Sequence, residues 1–525
     1  MKNAGSSGEV RVQKLNFLPR MSSYKMGTSS DESESNSGNL ETDIETSVFD
    51  YRDLGNIHAE IKETYLADDR PWVIGYSGGK DSTTTLQLIW YAIQDLPDSE
   101  QTKPIYVISS DTLVETPKIV NHITSSLDNI NEYAEKEDLP FEAHKVYPDV
   151  SDSFFVNLIG RGYPAPNQTF RWCTERLKID PADRFIMDKV SEHGEVVVIL
   201  GARKAESATR EQVMNLHSIE GSNLSRHSKF KSAFVYTPIE DWTVDDVWDY
   251  LLQVDCPWGK SNRDLAALYQ EADDECPMVI DTSTPSCGNS RFGCWTCTVV
   301  SEDKAMENMV DGGDKWLEPL LQFRDLLSST QDPDEKSKYR TVKGRRFGNV
   351  RGKDNGSDGI IPRAYKLEFR QHLLRRLLET EKRVEELRDD DQEYLQLIRD
   401  EEIKEIRRIW REEEADWEDS VPEIYRDVMS EDLDWGRTDL GTFSGEEAAI
   451  LEEVCSEHDV PAKLVKRLLD IELRHHGMKR RASIYNKIDK VFREDWRSLE
   501  DITADYEGES PEDWDYDLEY EDLKP

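Results

Sequence analysis

One eight-residue segment constrains the fold more than any other part of this sequence. Residues 75–82 read GYSGGKDS, directly after a short apolar run and directly before an amphipathic stretch. Its central glycines allow positive φ and a close approach of the backbone to an anion, while the N-terminus of a following helix supplies free N–H groups. The segment therefore predicts a strand, a phosphate-binding loop and a helix. It is not a Walker A loop, because that pattern needs Gly and then Ser or Thr where the sequence has Ile74 and Asp81.

The alternation of apolar runs and amphipathic stretches continues beyond this loop. Uninterrupted apolar runs separated by helices are typical of a parallel sheet covered by helices on both faces. The predicted fold class is therefore an α/β sheet of this kind, with a Cys-rich lobe and a helical C-terminal region added to it. We predict strands at 72–76, 105–109, 141–146, 196–200 and 233–237, and helices at 81–96, 117–136 and 181–193.

Five of the seven cysteines lie between residues 256 and 300. Four of them have the spacing C-x10-C-x6-C-x2-C, and thiolates from such a Gly-rich loop can hold zinc or an iron–sulfur cluster. The spacing alone does not decide between the two metals. Clustered cysteines favour a reducing cytosol over a disulfide framework. The four candidate metal ligands are Cys276, Cys287, Cys294 and Cys297.

Cys173 stands apart from this cluster and lies in sequence between Arg171 and Arg176. Neighbouring cations favour the thiolate form of a cysteine, so Cys173 is a candidate sulfur relay. The alternative is an ordinary residue of the pocket. Cys455 follows a helical apolar pattern and is expected to be part of a core.

The charge balance is strongly acidic, with 66 Lys and Arg against 108 Asp and Glu and a net charge of −42. Such a charge opposes binding to DNA phosphates, but it is typical of proteins from halophiles, where salt screens the repulsion. Two basic segments interrupt the acidic pattern, residues 336–376 with a net charge of +10 and residues 463–493 with +7. They predict an anionic partner such as nucleic acid; the alternative is internal pairing with acidic helices.

Composition divides the chain into six segments. No apolar run approaches the ~20 residues of a membrane span and the N-terminus shows no secretory signal, so we expect a cytoplasmic protein that does not bind membranes. The first and last segments are polar and acidic, and such sequences are typical of disorder. The predicted segments are 1–48 (disordered), 49–255 (nucleotide-binding sheet), 256–335 (Cys-rich lobe), 336–440 (basic loop and long helix), 441–500 (small helical unit) and 501–525 (acidic tail).

Together with the phosphate loop, four further segments resemble the phosphoadenylylsulfate (PAPS) reductases, which are similar to the N-type ATP pyrophosphatases. The resemblance implies an adenine-nucleotide alpha-hydrolase-like fold that binds ATP and Mg²⁺ and splits ATP between its α- and β-phosphates. The segments are SSDTLVETP at 109–117, RWCTERLKIDP at 171–181, GARKAESATR at 201–210 and PIEDWTVDDVWDYL at 238–251.

The same resemblance implies roles for individual residues. Asp111 is expected near the ribose or adenine, and Arg203 and Arg210 near the phosphates, where arginines neutralise charge on a departing pyrophosphate. The candidate nucleotide-binding residues are Ser77, Gly78, Gly79, Lys80, Asp81, Ser82, Asp111, Gly201 and Ser207, and the candidate catalytic residues are Lys80, Asp81, Arg203, Arg210 and Cys173.

The order of these segments, the late SRFGCWTCTVV and the long charged C-terminal region resemble the DndC family, the sulfurtransferase component of DNA phosphorothioation systems. This resemblance implies that the four clustered cysteines hold a [4Fe–4S] cluster rather than zinc. It also implies that ATP activates a backbone phosphate of double-stranded DNA for sulfur incorporation. A cysteine desulfurase is the implied sulfur donor, and DndD and DndE are the implied partners.

Three other functions remain open at this point. A PAPS reductase is expected to carry a C-terminal Cys-Gly nucleophile, whereas the last cysteine here is Cys455, followed by Ser456. A tRNA thiolase usually shows two CxxC pairs, whereas only Cys294 and Cys297 form one here. The third alternative is a DNA-binding scaffold with a degenerate nucleotide site, and the intact phosphate loop argues against it.

Overall fold

A computed structural model gives the architecture of most of the chain. The tails, the segment with Cys276 and Cys287, and the tip of the basic loop lie outside the described residues. Those that the structure describes are 47–272, 293–333, 335–344, 360–388, 394–435, 445–458, 460–475 and 484–492, all in the unit that spans residues 46–525.

A six-stranded sheet with the order β3-β2-β1-β4-β6-β5 organises the first half of the described chain. All neighbouring strands are parallel except β5, which runs antiparallel to β6. The five predicted strands are confirmed, and β5 is an addition that the sequence analysis missed. The strands are β1 (Trp72–Gly75), β2 (Ile105–Ser110), β3 (Phe141–Val146), β4 (Val196–Ile199), β5 (Leu224–Arg226) and β6 (Ala233–Tyr236).

Eight helices accompany this sheet in the described part of the chain, and the three predicted ones are among them. Two π-helical turns, Val156–Gly160 and Glu175–Ile179, also occur here. The helices are α1 (Leu54–Leu66), α2 (Lys80–Gln94), α3 (Pro117–Glu137), α4 (Trp172–Thr174), α5 (Asp180–His193), α6 (Ala208–His217), α7 (Val244–Gln253) and α8 (Asn262–Ala272).

The two faces of the sheet are both buried, as the apolar strands predict. Trp72 and Ile74 of β1 pack in a core with buried side chains of α1, α2, α3 and α7. Val73, between them in sequence, belongs to the core on the opposite face, where it meets Ile186 of α5. Successive side chains of a strand point to opposite faces, so helices on both sides are required to exclude water.

A second core joins the region after the sheet to the segment between β3 and α5. Its buried members include Phe155, Trp295, Phe323, Leu377 and Trp410, which come from distant parts of the sequence. The helices here are α9 (Lys304–Asp311), α10 (Glu318–Ser329), α11 (Lys336–Tyr339), α12 (Leu367–Leu387), α13 (Asp400–Glu413) and α14 (Ser420–Met429).

The predicted basic loop begins and ends as paired strands. β7 (Arg340–Gly344) and β8 (Ile360–Tyr365) form an antiparallel hairpin, and residues 345–359 between them lie outside the described residues. The base of the hairpin is fixed because the Tyr365 N–H donates to the Gly162 carbonyl at 2.7 Å. The hairpin is thereby attached to the same segment that leads into the Glu175–Ile179 turn.

The predicted small helical unit contains three described helices, α15 (Gly445–Glu457), α16 (Ala462–His475) and α17 (Ile484–Phe492). Trp417 anchors it to the preceding helices, because its indole N–H donates to Asp470 of α16 at 3.0 Å and its ring packs near Ala448 of α15. Cys455 is buried on α15, as its helical pattern predicts. Of the described helices, none is long and apolar enough to cross a membrane.

Candidate functional site

A cavity of about 530 Å³ lies at the carboxyl ends of β1, β2 and β4. The strand order reverses between β1 and β4, since β2 and β3 lie on one side of β1 and β4 on the other. In open α/β sheets, ligands bind at such a switch point, and the volume falls within the ~300–1,000 Å³ of small-molecule sites. The topology and the cavity therefore place a candidate ligand site at the end of the phosphate loop.

The phosphate loop is folded by its own hydroxyl groups. The Ser77 N–H donates to Ser82 Oγ at 3.2 Å, and Ser82 Oγ donates to the Gly79 carbonyl at 3.0 Å. Gly78 has φ +72°, and a Cβ there would lie 3.0 Å from the Ile123 side chain. Ser77, Gly78 and Gly79 line the cavity. The loop thus has the conformation that only glycine adopts readily, with α2 beginning directly behind it.

A buried ion-pair triad lies behind the loop. Lys80 Nζ is 2.8 Å from Asp81 Oδ2, and Arg203 Nε donates to Asp81 Oδ1 at 2.6 Å. Lys80 and Arg203 are both 1% exposed. Asp81 therefore holds two cations together beside the N-terminus of α2, and the cavity is lined by the loop in front of them rather than by Lys80 or Asp81.

Gly201 lies where the backbone after β4 comes very close to the backbone of the first turn of α2, and only a residue without a Cβ fits there. A Cβ at this position would lie 2.7 Å from the carbonyl carbon and oxygen of Asp81 and 2.9 Å from the Ser82 nitrogen. These neighbours are backbone atoms of the first turn of α2, so they cannot move aside as a flexible side chain could. The glycine after β4 acts by allowing this contact, and its own atoms do not line the cavity.

The segment after Gly201 folds around its own polar groups. Ser207 caps α6, because its Oγ accepts from the Arg210 N–H at 3.1 Å. The Arg210 guanidinium pairs with Glu206, and the Arg203 N–H donates to the Glu206 carboxylate at 3.1 Å. Burial lowers the pKa of the Arg210 guanidinium, although the negative charge of Asp81 acts to raise it. Arg203 therefore contacts Asp81 directly, whereas Arg210 pairs with Glu206, and neither arginine lines the cavity.

Asp111 shapes the turn that follows β2. Its Oδ1 accepts from the Leu113 N–H at 2.9 Å, and its Oδ2 is 3.4 Å from Lys145 Nζ. Leu113 has φ +66°, an uncommon conformation for a branched side chain. The contact positions residues 112–116, which form the wall between the cavity and the cysteine segment.

The turn that contains Cys294 and Cys297 packs directly on this wall. Cys294 forms an antiparallel bridge with Glu115, and the Trp295 N–H donates to the Val114 carbonyl at 2.9 Å. Cys294 Sγ is 3.4 Å from Thr112 Oγ1. Gly293, which precedes Cys294 in the sequence, lines the cavity. One side of this wall therefore faces the cavity and the other faces a cysteine turn.

Two of the four predicted metal ligands, Cys294 and Cys297, lie in this turn. The Cys297 N–H donates to the Cys294 carbonyl at 3.0 Å, which closes the turn around both thiols. Burial raises the pKa of Cys294 to about 12, so a thiolate there needs a compensating cation. Cys276 and Cys287 lie outside the described residues, and no group of three or more His, Cys, Asp or Glu side chains among the described ones is placed to hold a metal. The four-cysteine site stays a prediction.

Cys173 is partly buried beside the second core. Arg176, one of the two arginines expected to favour its thiolate, pairs with Asp152 and lies 3.2 Å from the Tyr163 hydroxyl. The role of Cys173 as a sulfur relay remains a hypothesis from sequence.

Several residues line the cavity without having been selected as site residues, and Glu115, Lys178, His122 and Tyr269 are among them. Burial raises the pKa of Glu115 to about 7, and Lys178 Nζ lies 4.0 Å from its carboxylate. His122 Nε2 is 3.3 Å from the Gly78 carbonyl, and the Tyr269 hydroxyl accepts from the Lys80 N–H at 3.1 Å. Glu115 and Lys178 lie within two of the quoted segments, which was a usable signal. His122 and Tyr269 are single polar residues on helices, and nothing in the sequence distinguishes them.

Comparison with known proteins defines the class of the first half of the chain. Residues 71–300 match the family described as the phosphoadenosine phosphosulfate reductase domain. The chain therefore contains a PAPS reductase-like domain, and it spans the sheet, the phosphate loop and the Cys294 turn.

A second match concerns the C-terminal helices. Residues 446–493 match a family described as a small protein found in certain Dnd DNA modification systems. The matched segment coincides with α15–α17. The chain thus joins a PAPS reductase-like domain to a Dnd-associated segment.

One curated relative and two solved structures are also similar to parts of this chain. An uncharacterised protein of Methanocaldococcus jannaschii is 27% identical over 240 residues, and the match spans 45% of this chain and 38% of that relative's length. A Candida glabrata FMN adenylyltransferase structure with FAD and inorganic pyrophosphate has 12% identity and TM-score 0.23, covering 41% of this chain and 60% of that one. The U34-tRNA thiolase NcsA of Methanococcus maripaludis, with its [4Fe-4S] cluster, has 14% identity and TM-score 0.25, covering 53% and 80%.

Proposed function

We propose that this protein is the ATP-cleaving sulfurtransferase component of a Dnd DNA phosphorothioation system, the role of the DndC family. One observation carries the proposal: the cavity at the phosphate loop and the Cys294 turn share the wall formed by residues 112–116. A nucleotide activated in the cavity is then close to a sulfur-bearing segment. The Dnd-associated helices at 446–493 support DNA as the substrate.

The proposed reaction has two steps. A non-bridging oxygen of the DNA backbone phosphate attacks the α-phosphorus of ATP, the bond to the β-phosphate oxygen breaks, and pyrophosphate leaves. A sulfur nucleophile at the oxidation level of sulfide then attacks the adenylated DNA phosphorus, and the bond to AMP breaks; a thiol reductant supplies the two electrons that release this sulfide from the persulfide of the desulfurase. The loop N–H groups, with Lys80, Arg203 and Arg210 behind them, offset the charge on pyrophosphate. A Mg²⁺ ion bound with ATP would lower the same charge.

Asp81 keeps the cations of this site in place. Both of its carboxylate oxygens are engaged, one by Lys80 and the other by Arg203. We therefore propose an electrostatic role for Asp81 in positioning these cations, ahead of a role as a Mg²⁺ ligand.

A [4Fe–4S] cluster would be held by Cys294 and Cys297 from the described turn, together with Cys276 and Cys287. The cluster would supply a sulfur-binding metal site, and a cysteine desulfurase would supply the sulfur. What the turn itself contributes is position, since its hydrogen bonds to residues 114 and 116 hold Cys294 beside the cavity wall. DndD and DndE are the proposed partners.

The proposed DNA contact lies on the β7–β8 hairpin rather than on α12. Arg370 of α12 is 2% exposed and donates to the Gly160 carbonyl at 2.6 Å, and Arg376 pairs with Glu379 at 2.9 Å. In the second basic segment, Lys466 pairs with Glu452 at 2.6 Å. These cations stabilise the protein itself. A two-stranded ribbon fits the major groove of DNA, so the hairpin is the better candidate.

A salt titration of DNA binding tests this contact. Replacing Lys343, Arg345, Arg346, Arg351 and Lys353 with Ser removes five cations of the basic segment 336–376. We expect weaker binding and a flatter dependence of affinity on salt, by about 0.9 in slope for each lost phosphate contact. The matched control changes Arg375 and Arg376, which are paired on α12. If DNA affinity depends on salt with equal slopes in the wild type and in this variant, the DNA contact lies elsewhere in the protein.

Mass spectrometry of host DNA tests the whole proposal. Phosphorothioate-linked dinucleotides should be present when this chain and its partner genes are expressed and absent when this chain alone is removed. Complementation with a Cys294→Ser variant should fail to restore them. Unchanged phosphorothioate content without the chain would refute the assignment, and formation of sulfite from PAPS would assign the protein to the reductases instead.

A further inference from the structure

His122 contacts the phosphate loop from outside the loop sequence. It lies on α3, lines the cavity, and places its Nε2 atom 3.3 Å from the Gly78 carbonyl oxygen. A carbonyl oxygen can only accept, so the proton of this hydrogen bond is on Nε2. Burial lowers the pKa of His122, which favours the neutral ring. The imidazole is therefore a fixed donor to one peptide group of the loop.

That peptide group joins two glycines. In a trans peptide, the carbonyl of residue 78 and the N–H of residue 79 point to opposite sides. With its carbonyl held by His122, Gly78 presents the Gly79 N–H to the other side, where Ser77 Oγ is its acceptor at 3.4 Å. This hydrogen bond is long compared with the usual 2.9–3.0 Å. An anion in the cavity can replace it at little cost.

The loop needs this restraint because its glycines do not provide one. Gly78 has φ +72° and no Cβ, so rotation of the peptide between residues 78 and 79 meets little steric resistance. After such a rotation a carbonyl oxygen would face the phosphates in place of an N–H group, and the site would repel its ligand. His122 is close enough to oppose this rotation, since its Nε2 atom is 3.3 Å from the Gly78 carbonyl oxygen.

We propose that His122 is a positioning residue of the phosphate loop: its Nε2–H holds the Gly78 carbonyl away from the cavity and so directs the Gly79 N–H toward a bound polyphosphate. The inference deepens the proposed function, because it rests on ATP being the ligand of this cavity. The proposed role of His122 is to help bind the pyrophosphate group of a ligand, and it does not extend to binding of the nucleoside. It adds a residue from α3 to a site whose other anion-binding groups come from residues 77–82 and 201–210.

Calorimetric binding to the full chain tests the proposal, with Mg²⁺–pyrophosphate, Mg²⁺–ATP and adenosine as separate ligands. His122→Phe keeps a ring but removes the donor, and it should weaken pyrophosphate and ATP about tenfold, which is the effect of one hydrogen bond. His122→Gln places an amide donor near the Nε2 position and should restore most of the affinity. Adenosine binding should be equal in all forms.

Two controls separate positioning from folding. His58→Phe changes another largely buried histidine, on α1, which does not line the cavity, and it should leave all three affinities unchanged. His122→Asn carries the same amide as Gln on a shorter side chain, and it should bind as weakly as Phe. Wild-type pyrophosphate affinity in His122→Phe would overturn the inference, and so would a Gln variant no better than Asn.

The same measurements separate this inference from the proposed function. If wild type binds ATP and pyrophosphate, the variants behave as expected and no phosphorothioate is formed, His122 keeps its role and the proposed function fails. If wild type binds neither ligand, the inference is refuted together with the nucleotide site.

Discussion

Asp81 is the residue on which the charge balance of the site depends. Its two oxygens contact Lys80 and Arg203, and each of these cations is 1% exposed. Removing one partner of a buried ion pair leaves an uncompensated charge away from water. The triad is therefore part of the buried interior, and its loss affects stability as well as chemistry.

Asp81→Ala should therefore lower stability as well as remove activity. We expect the free energy of unfolding to fall by about 3–5 kcal/mol, because two buried cations lose their counter-ion. Denaturant unfolding of the full chain measures the change. Asp427→Ala removes the partner of Arg375 in an exposed pair and should cost at most about 1 kcal/mol. An Asp81→Ala variant as stable as this control would contradict the buried-triad account.

Gly201→Ala tests the close approach of β4 to α2. The added methyl would lie 2.7 Å from Asp81 backbone atoms, so the first turn of α2 and the phosphate loop must shift. Overpacking of this kind typically costs about 1–3 kcal/mol, and we expect a lower thermal midpoint together with weaker Mg²⁺–ATP binding. In the control Gly445→Ala, the nearest atom would be 3.6 Å away. If both variants bind ATP like wild type, Gly201 has no part in the site.

Among the elements, the Cys294 turn lies between the second core and the cavity. Trp295 packs in the second core, while Cys294 and Gly293 contact residues 115 and 116 and Gly293 lines the cavity. Burial raises the pKa of Cys294 to about 12, which favours a neutral thiol in the metal-free turn. Binding of the proposed cluster would replace this proton and would therefore be coupled to the folding of the turn.

The metal prediction follows from this coupling. Protein purified under argon should be brown and contain iron and acid-labile sulfide, and Cys294→Ser or Cys297→Ser should bleach it, because such clusters are held by thiolates. Cys455→Ala, which removes a thiol buried on α15, should keep the colour. Iron and sulfide analysis with visible absorption measures the outcome. Stoichiometric zinc without iron would show that the turn belongs to a different metal site.

Elements formed by local sequence patterns could be predicted, whereas elements formed by contacts between distant residues could not. The central strands β1 and β4 were predictable because each is a continuous apolar run between helices. β5 was not, since Leu224–Arg226 is only three residues long and pairs antiparallel with β6 at the edge of the sheet. The hairpin base depends on contacts with Gly162, about 200 residues away in sequence, and no local pattern reports such a contact.

The same limit applies to the site. The loop glycines were selected because phosphate binding restricts the residue types of such a loop, whereas Gly201, Arg203 and Arg210 were selected from the resemblance to the PAPS reductases. His122 and Tyr269 lie on α3 and α8, and only the folded chain brings them to Gly78 and Lys80. The cysteine turn was predicted as a metal segment, but its contact with the cavity wall required the structure.

For the whole molecule, the net charge of −42 is the dominant property. At about 0.1 M salt the Debye length is ~10 Å, so neighbouring surface carboxylates repel one another, whereas at about 1 M it falls to ~3 Å. We expect the thermal midpoint of unfolding to rise between these two KCl concentrations, because self-repulsion destabilises the compact state. Scanning calorimetry measures it, with sucrose of equal osmolality as the control. A midpoint that falls with KCl would contradict adaptation to high salt.

The most direct test of the account is the stoichiometry of ATP cleavage by the purified chain with its partner proteins, with and without duplex DNA. The phosphate loop, the Lys80–Asp81–Arg203 triad and the cavity at the switch point predict AMP and pyrophosphate as the products. We expect one pyrophosphate for each AMP, and no activity in Asp81→Ala. Production of ADP and phosphate, or wild-type AMP formation in the Asp81→Ala variant, would contradict the assignment of this cavity as an ATP pyrophosphatase site.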